Sequence, residues 1–127
     1  MVRSGRVPRS ATSSPDAHCP DAGDIVWIDF DPQAGREQAG RRPALVLSPR
    51  AYNGRVRLCV LCPITSQGKG YPFEVALPDN GAVTGFVLAD QVKSLSWPDR
   101  NARFAGRAPD GLLAHVRAKI KALLGIP

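Results

Sequence analysis

From Gly23 onward, short runs rich in β-branched and aromatic residues alternate with Gly, Pro and Asn: GDIVWIDFD, PALVLS, RVRLCVLCPI, YPFEVALP, VTGFVLA and VKSLSW. Runs of this length and make-up predict strands. The connections predicted between them are a long one over residues 32–42, an Asn-Gly segment over residues 49–54, and shorter ones over residues 65–70 and 78–81. They leave no room for crossover helices. The pattern therefore predicts antiparallel pairing in a small, curled, barrel-like sheet, a mainly β (α+β) fold. At the C-terminus the period changes. Leu112, Leu113, Val116, Ile120, Leu123 and Leu124 recur at helical spacing, with Arg117, Lys119 and Lys121 on other faces. Pro109 and Asp110 suit the first turn of this helix, Gly125 and Pro127 suit its end, and its apolar stripe is expected to pack on the sheet.

Residues 1–22 are rich in Ser, Pro and Arg and follow neither period, which predicts a mobile tail ahead of one domain over residues 23–127. A chain of 127 residues and 13.6 kDa fits a single core. No run reaches the ~18 apolar residues of a membrane span, and the N-terminus has no apolar signal region, so a cytoplasmic protein is expected. Three cysteines, Cys19, Cys59 and Cys62, then point to reduced thiols. Lys and Arg total 17 against 11 acidic residues, a net charge of +6, which favours an anionic partner without naming it.

Two polar segments carry candidate chemistry. The first holds Arg36, Glu37, Gln38, Arg41 and Arg42; guanidinium groups at this density suit phosphate. The second, TSQGKGYP, offers Thr65, Ser66, Gln67 and Lys69 beside Gly68 and Gly70, whose backbone N–H groups can hold an anion, although the spacing is not that of a P-loop. A phosphate-handling site requires the two to converge. Other constellations are weaker. Cys59 and Cys62 have CxxC spacing, and His18 and Cys19 are candidates for two further zinc ligands. In an extended run, however, positions three apart face opposite ways. His18 lies in the tail and His115 on the helix surface, so a histidine acid–base pair is absent. Tyr71 and Trp97 are candidates for base stacking or, more simply, for packing at the sheet margin.

Taken in order, GDIVWIDFDPQAGREQAGRRPALVLSP, TSQGKGYPFEV and LADQVKSLSW resemble the MazF/PemK (Kid) toxin family. The resemblance implies a curled antiparallel sheet related to an SH3-like barrel, a C-terminal helix and a homodimer. It also implies an endoribonuclease that cuts single-stranded RNA without metal or cofactor, leaving 2′,3′-cyclic phosphate and 5′-hydroxyl ends. A MazE-like antitoxin with an acidic flexible tail is the implied protein partner. Cleavage through the RNA's own 2′-hydroxyl needs that proton removed, the phosphorane charge stabilised and the 5′-oxygen protonated.

Arg42 and Thr65 stand at the family's catalytic arginine and threonine, and both suit electrostatic stabilisation. The proton-transfer role is open between Arg42, whose guanidinium is a poor base, and Glu37 at the family's glutamate position, which can instead orient Arg42. Gln38, Arg41, Gln67, Lys69, Gln91 and Lys93 are the candidate RNA-binding residues, and Asp90 shares the DQVKS segment with the last two. Two other readings use the same fold: a CcdB-like toxin that binds DNA gyrase without catalysis, and a non-catalytic binding module.

Overall fold

The computed structural model describes residues 18–30 and 40–127. Within them the order is β1 (Asp24–Phe30), β2 (Gly40–Val46), α1 (Arg50–Val56), β3 (Cys59–Thr65), β4 (Glu74–Ala76), β5 (Phe86–Leu88), a 3₁₀ turn (Ala89–Gln91), β6 (Lys93–Leu95), β7 (Arg103–Arg107) and α2 (Leu112–Leu124). All strand pairings are antiparallel and follow the order β4-β5-β3-β2-β1-β7. The edge of β3 away from β2 is shared. Its first half pairs with β6 and its last two residues pair with β5, so the sheet bends there and curls without closing. This is the predicted curled antiparallel sheet with a C-terminal helix.

Strand alternation builds two cores, one on each face. Ile25, Leu45, Cys62 and Ile64 face one way, where Leu112 and Val116 of α2 cover them. Val26, Ile28, Ala44, Val46, Cys59 and Leu61 face the other way, against Phe30 and Trp97. Cys59 and Cys62 therefore point to opposite faces, as the spacing predicted, and burial pushes each thiol up to about 12. Among the described residues no group of three or more His, Cys, Asp or Glu is placed to hold a metal ion, and no helix is long and apolar enough to cross a membrane.

Several expectations are corrected. The Asn-Gly segment is not a turn but part of α1, and β3 begins at Cys59, after Arg55 and Val56 have been used by the helix. Long-range bonds outweigh the local turn preference. The carboxylate of Asp21 accepts the Arg50 N–H at the first turn (2.9 Å), where Pro49 has no side-chain cap. Fully buried Asn53 donates to the carbonyls of Pro20 and Ser48, bonds the Ser48 hydroxyl through its Oδ1, and accepts the Trp97 indole N–H on its own carbonyl. Trp97 is thus a packing residue, and the second of the two roles considered for it holds.

The same contacts show that His18–Ala22, the end of the predicted tail, is bound to the fold. Pro20 is buried, and His18 sits 3.0 Å from the Asp24 carboxylate, which also accepts from Arg107. The remainder of that predicted tail, residues 1–17, lies outside the described residues. Strand β7, RFAGR, was not predicted. Its Arg and Gly give no strand signal, and it forms by pairing with the open edge of β1. Helix α2 starts at Leu112, after Gly111 at φ +86°, so Pro109 and Asp110 precede it, while Gly125 at φ +68° ends it as predicted. Its stripe packs through Leu112, Val116 and Ile120, but Leu123 and Leu124 are exposed.

Candidate active site

Arg42 was expected on a loop but stands on β2, which starts at Gly40. Pro43 does not break the strand because the β2–β3 ladder runs only from Ala44↔Pro63 to Val46↔Leu61, beyond its missing N–H. Continuing that register by two residues sets Arg42 across from Thr65, the last residue of β3. Residues across an antiparallel pair share a face. Both line one cavity of about 860 Å³, together with Ser66, Gln67, Lys69, Tyr71, Glu74, Leu88, Asp90 and Gln91. The two polar segments do converge.

Thr65 is buried and its hydroxyl oxygen accepts the Gln67 N–H (3.2 Å), which directs the hydroxyl proton elsewhere as a donor. Its backbone is held from below. Gly85 has φ +123°, and a Cβ there would lie 2.2 Å from the Thr65 carbonyl oxygen, so only glycine lets the chain pass this close just before β5. Glu74, which the sequence did not single out, accepts the N–H groups of Lys69 (3.0 and 3.1 Å) and Gly70 (3.1 Å). These backbone donors, expected to be available to an anion, are taken by the protein's own carboxylate.

Of the predicted site residues, Arg42, Thr65, Gln67, Lys69 and Gln91 are brought together at the cavity, and Asp90 joins them. Arg41 and Lys93 are not. Arg41 is the next residue on the strand, so it faces the opposite side, where it donates to Asp29 (2.9 Å) and to the Asn101 carbonyl (3.0 Å). Lys93 lies 5.8 Å from the Phe30 ring centre. Glu37 and Gln38 lie outside the described residues. Tyr71 is half exposed and lines the cavity wall, so it is not buried at the sheet margin as Trp97 is. Glu74 and Gly85 had a weak signal: the first lies in the FEV run after the second polar segment, the second inside a strand pattern, where glycine marks a close backbone approach.

Residues 21–124 match the family model described as the PemK-like, MazF-like toxin of type II toxin–antitoxin systems. The chain is 49% identical over 108 residues to Endoribonuclease toxin MazF of Escherichia coli (strain K12), covering 85% of this chain and 96% of that one. It is 33% identical over 108 residues to Endoribonuclease PemK of Escherichia coli, covering 82% and 81%. MazF from Deinococcus radiodurans superposes with a TM-score of 0.82 at 57% identity, covering 85% and 98%. A chain from a MazE–MazF crystal structure of that organism superposes at 0.79 and 56% identity, covering 87% and 99%.

Proposed function

The chain belongs to the PemK-like, MazF-like toxin family of type II toxin–antitoxin systems, and from that premise we propose that the cavity between Arg42 and Thr65 is where it cuts RNA. The protein is an endoribonuclease toxin. The observation that carries the site is the shared face of β2 and β3, which sets a guanidinium and a donor hydroxyl across one cavity.

The chemistry follows from those two groups. A guanidinium donates in parallel to both non-bridging oxygens of a phosphodiester, and a hydroxyl oriented by the Gln67 N–H gives a further bond to the same developing charge. Attack by the neighbouring 2′-hydroxyl on such a phosphate expels the 5′-oxygen, leaving a 2′,3′-cyclic phosphate and a 5′-hydroxyl. In this reading the 2′ proton goes to the Glu37 carboxylate, or to Arg42 only in its neutral guanidine form, and the group that took it, or water, returns a proton to the departing 5′-oxygen. Gln67, Lys69 and Gln91 hold flanking nucleotides of single-stranded RNA, with Tyr71 as a stacking surface. No cofactor enters the scheme. A gyrase-binding role is not favoured, since the relatives named above are endoribonucleases.

The partner reading rests on the MazE–MazF complexes among the solved relatives. A MazE-like antitoxin with an acidic flexible segment suits a chain of net charge +6 and would block the cavity by competing for the same cations. The toxin acts as a homodimer in the cytoplasm in this reading. Incubating it with single-stranded RNA in EDTA tests the chemistry. Cleavage with 5′-hydroxyl products is expected, and strict Mg²⁺ dependence or 5′-phosphate ends would overturn the scheme.

A further inference from the structure

Three of the cavity's lining residues, Ser66, Gln67 and Lys69, come from one loop, and that loop is tied at several points. Thr65 Oγ1 accepts the Gln67 N–H at its start. Gly68 sits directly on the Phe86 ring, since a Cβ there would come within 2.6 Å of it. The Lys119 ammonium of α2 donates to the Pro72 carbonyl (2.6 Å) beyond its end. Between these, both Glu74 carboxylate oxygens accept from Lys69 N–H and one also accepts from Gly70 N–H, the latter at a residue with φ +80°. Two consecutive N–H groups converging on one carboxylate form an anion nest, and charge-assisted bonds of this kind are the strong class.

We propose that Glu74 is a positioning residue for RNA selectivity: its carboxylate occupies the loop's anion nest and fixes the loop that presents Ser66, Gln67 and Lys69 to the nucleotides. The inference rests on the cavity being the cleavage site. With the nest filled from within, RNA meets this loop through side chains at fixed positions, and reading by side chains depends on where the loop holds them. Loosening the nest lets Gln67 and its neighbours meet more than one base arrangement. The reacting phosphate, held by Arg42 and Thr65 on the strands, keeps its own contacts. Glu74 acts through the loop and has no part in proton transfer.

The test is a random-sequence single-stranded RNA pool, cleaved to equal extent by wild type and by Glu74→Gln, with the cut sites sequenced. Glu74→Gln replaces one acceptor oxygen by a donor NH₂, which opposes the nest N–H groups. A broader cut-site profile is expected, with preference for the best sequences reduced about tenfold and cleavage slowed by a similar factor. Partial unfolding would lower all rates together and leave the profile unchanged. Amide NMR signals of Lys69 and Gly70 should move in the same variant. Glu74→Asp, which keeps the charge on an arm one methylene shorter, should broaden the profile in the same direction and serves as the test if Glu74→Gln does not fold. An unchanged profile in a folded Glu74 variant, with Arg42→Ala and Thr65→Ala inactive, overturns this inference alone. Full activity in Arg42→Ala and Thr65→Ala overturns the site itself.

Discussion

Arg41 and Arg42 are consecutive and chemically identical, yet β2 sends them into different regions of the molecule. Arg41 meets Asp29 on β1 and the Asn101 carbonyl, a hydrogen-bonded cluster in which Asn101 also donates to Asp29 (2.8 Å). Arg42 meets the cavity opposite Thr65. The difference teaches that strand parity, rather than residue type, decides which of two neighbouring arginines joins the Asp29 cluster and which lines the cavity. A basic run in a sequence thus overstates the number of residues that reach one cavity.

The comparison breaks most readily at the cavity. Arg42→Ala and Thr65→Ala should each lower cleavage by at least ~10²-fold, the scale of losing one transition-state donor, with the melting temperature little changed. Initial rates on single-stranded RNA beside thermal melts check both halves. Gly85→Ala comes next, because a methyl group forced against the Thr65 carbonyl displaces that residue. A loss of about tenfold in cleavage, with destabilisation of about 1–3 kcal/mol, is expected from kinetics and denaturant unfolding.

On the opposite face, Arg41→Ala should leave cleavage near wild type and act on folding instead, and a large loss of activity would place RNA on that face too. The smallest effect is in acid. Bonds from Asn101 and Arg41 hold the Asp29 carboxyl below its usual range. Asp24 is also held low: burial pushes it up, but Arg107, the Asp21 N–H and His18 outweigh that. Carboxylates depressed in the folded state stabilise it fully above the ordinary value of about 3.9 and lose that contribution as pH falls toward their folded values. Melts between neutral pH and pH 2 should show the loss beginning below about pH 4. Arg41→Ala should reduce its Asp29 share.

Several of these distinctions were readable in the chain and others were not. β1, β3 and the stripe on α2 follow from local period, because burying one face of a strand or helix imposes that period on the residues themselves. Arg42, Thr65, Gln67, Lys69 and Gln91, which line the cavity, were marked as candidates by residue type and by resemblance. Glu74 was not, since a lone glutamate in a strand run looks like any solvated charge. Its role appears only when the loop folds back to bring two N–H groups onto it.

The sequence by itself determined the runs that become β1 to β6, where the last helix ends and which side-chain types were on hand for phosphate chemistry, since all of these depend on neighbours within a few residues. Only the tertiary structure decided that Asn53 and Gly54 join a helix and that RFAGR becomes the strand beside β1. It also decided that Arg42 rather than Arg41 faces Thr65. Those outcomes depend on hydrogen bonds and register between segments distant in the chain, and a shift of one residue in that register would exchange the two arginines.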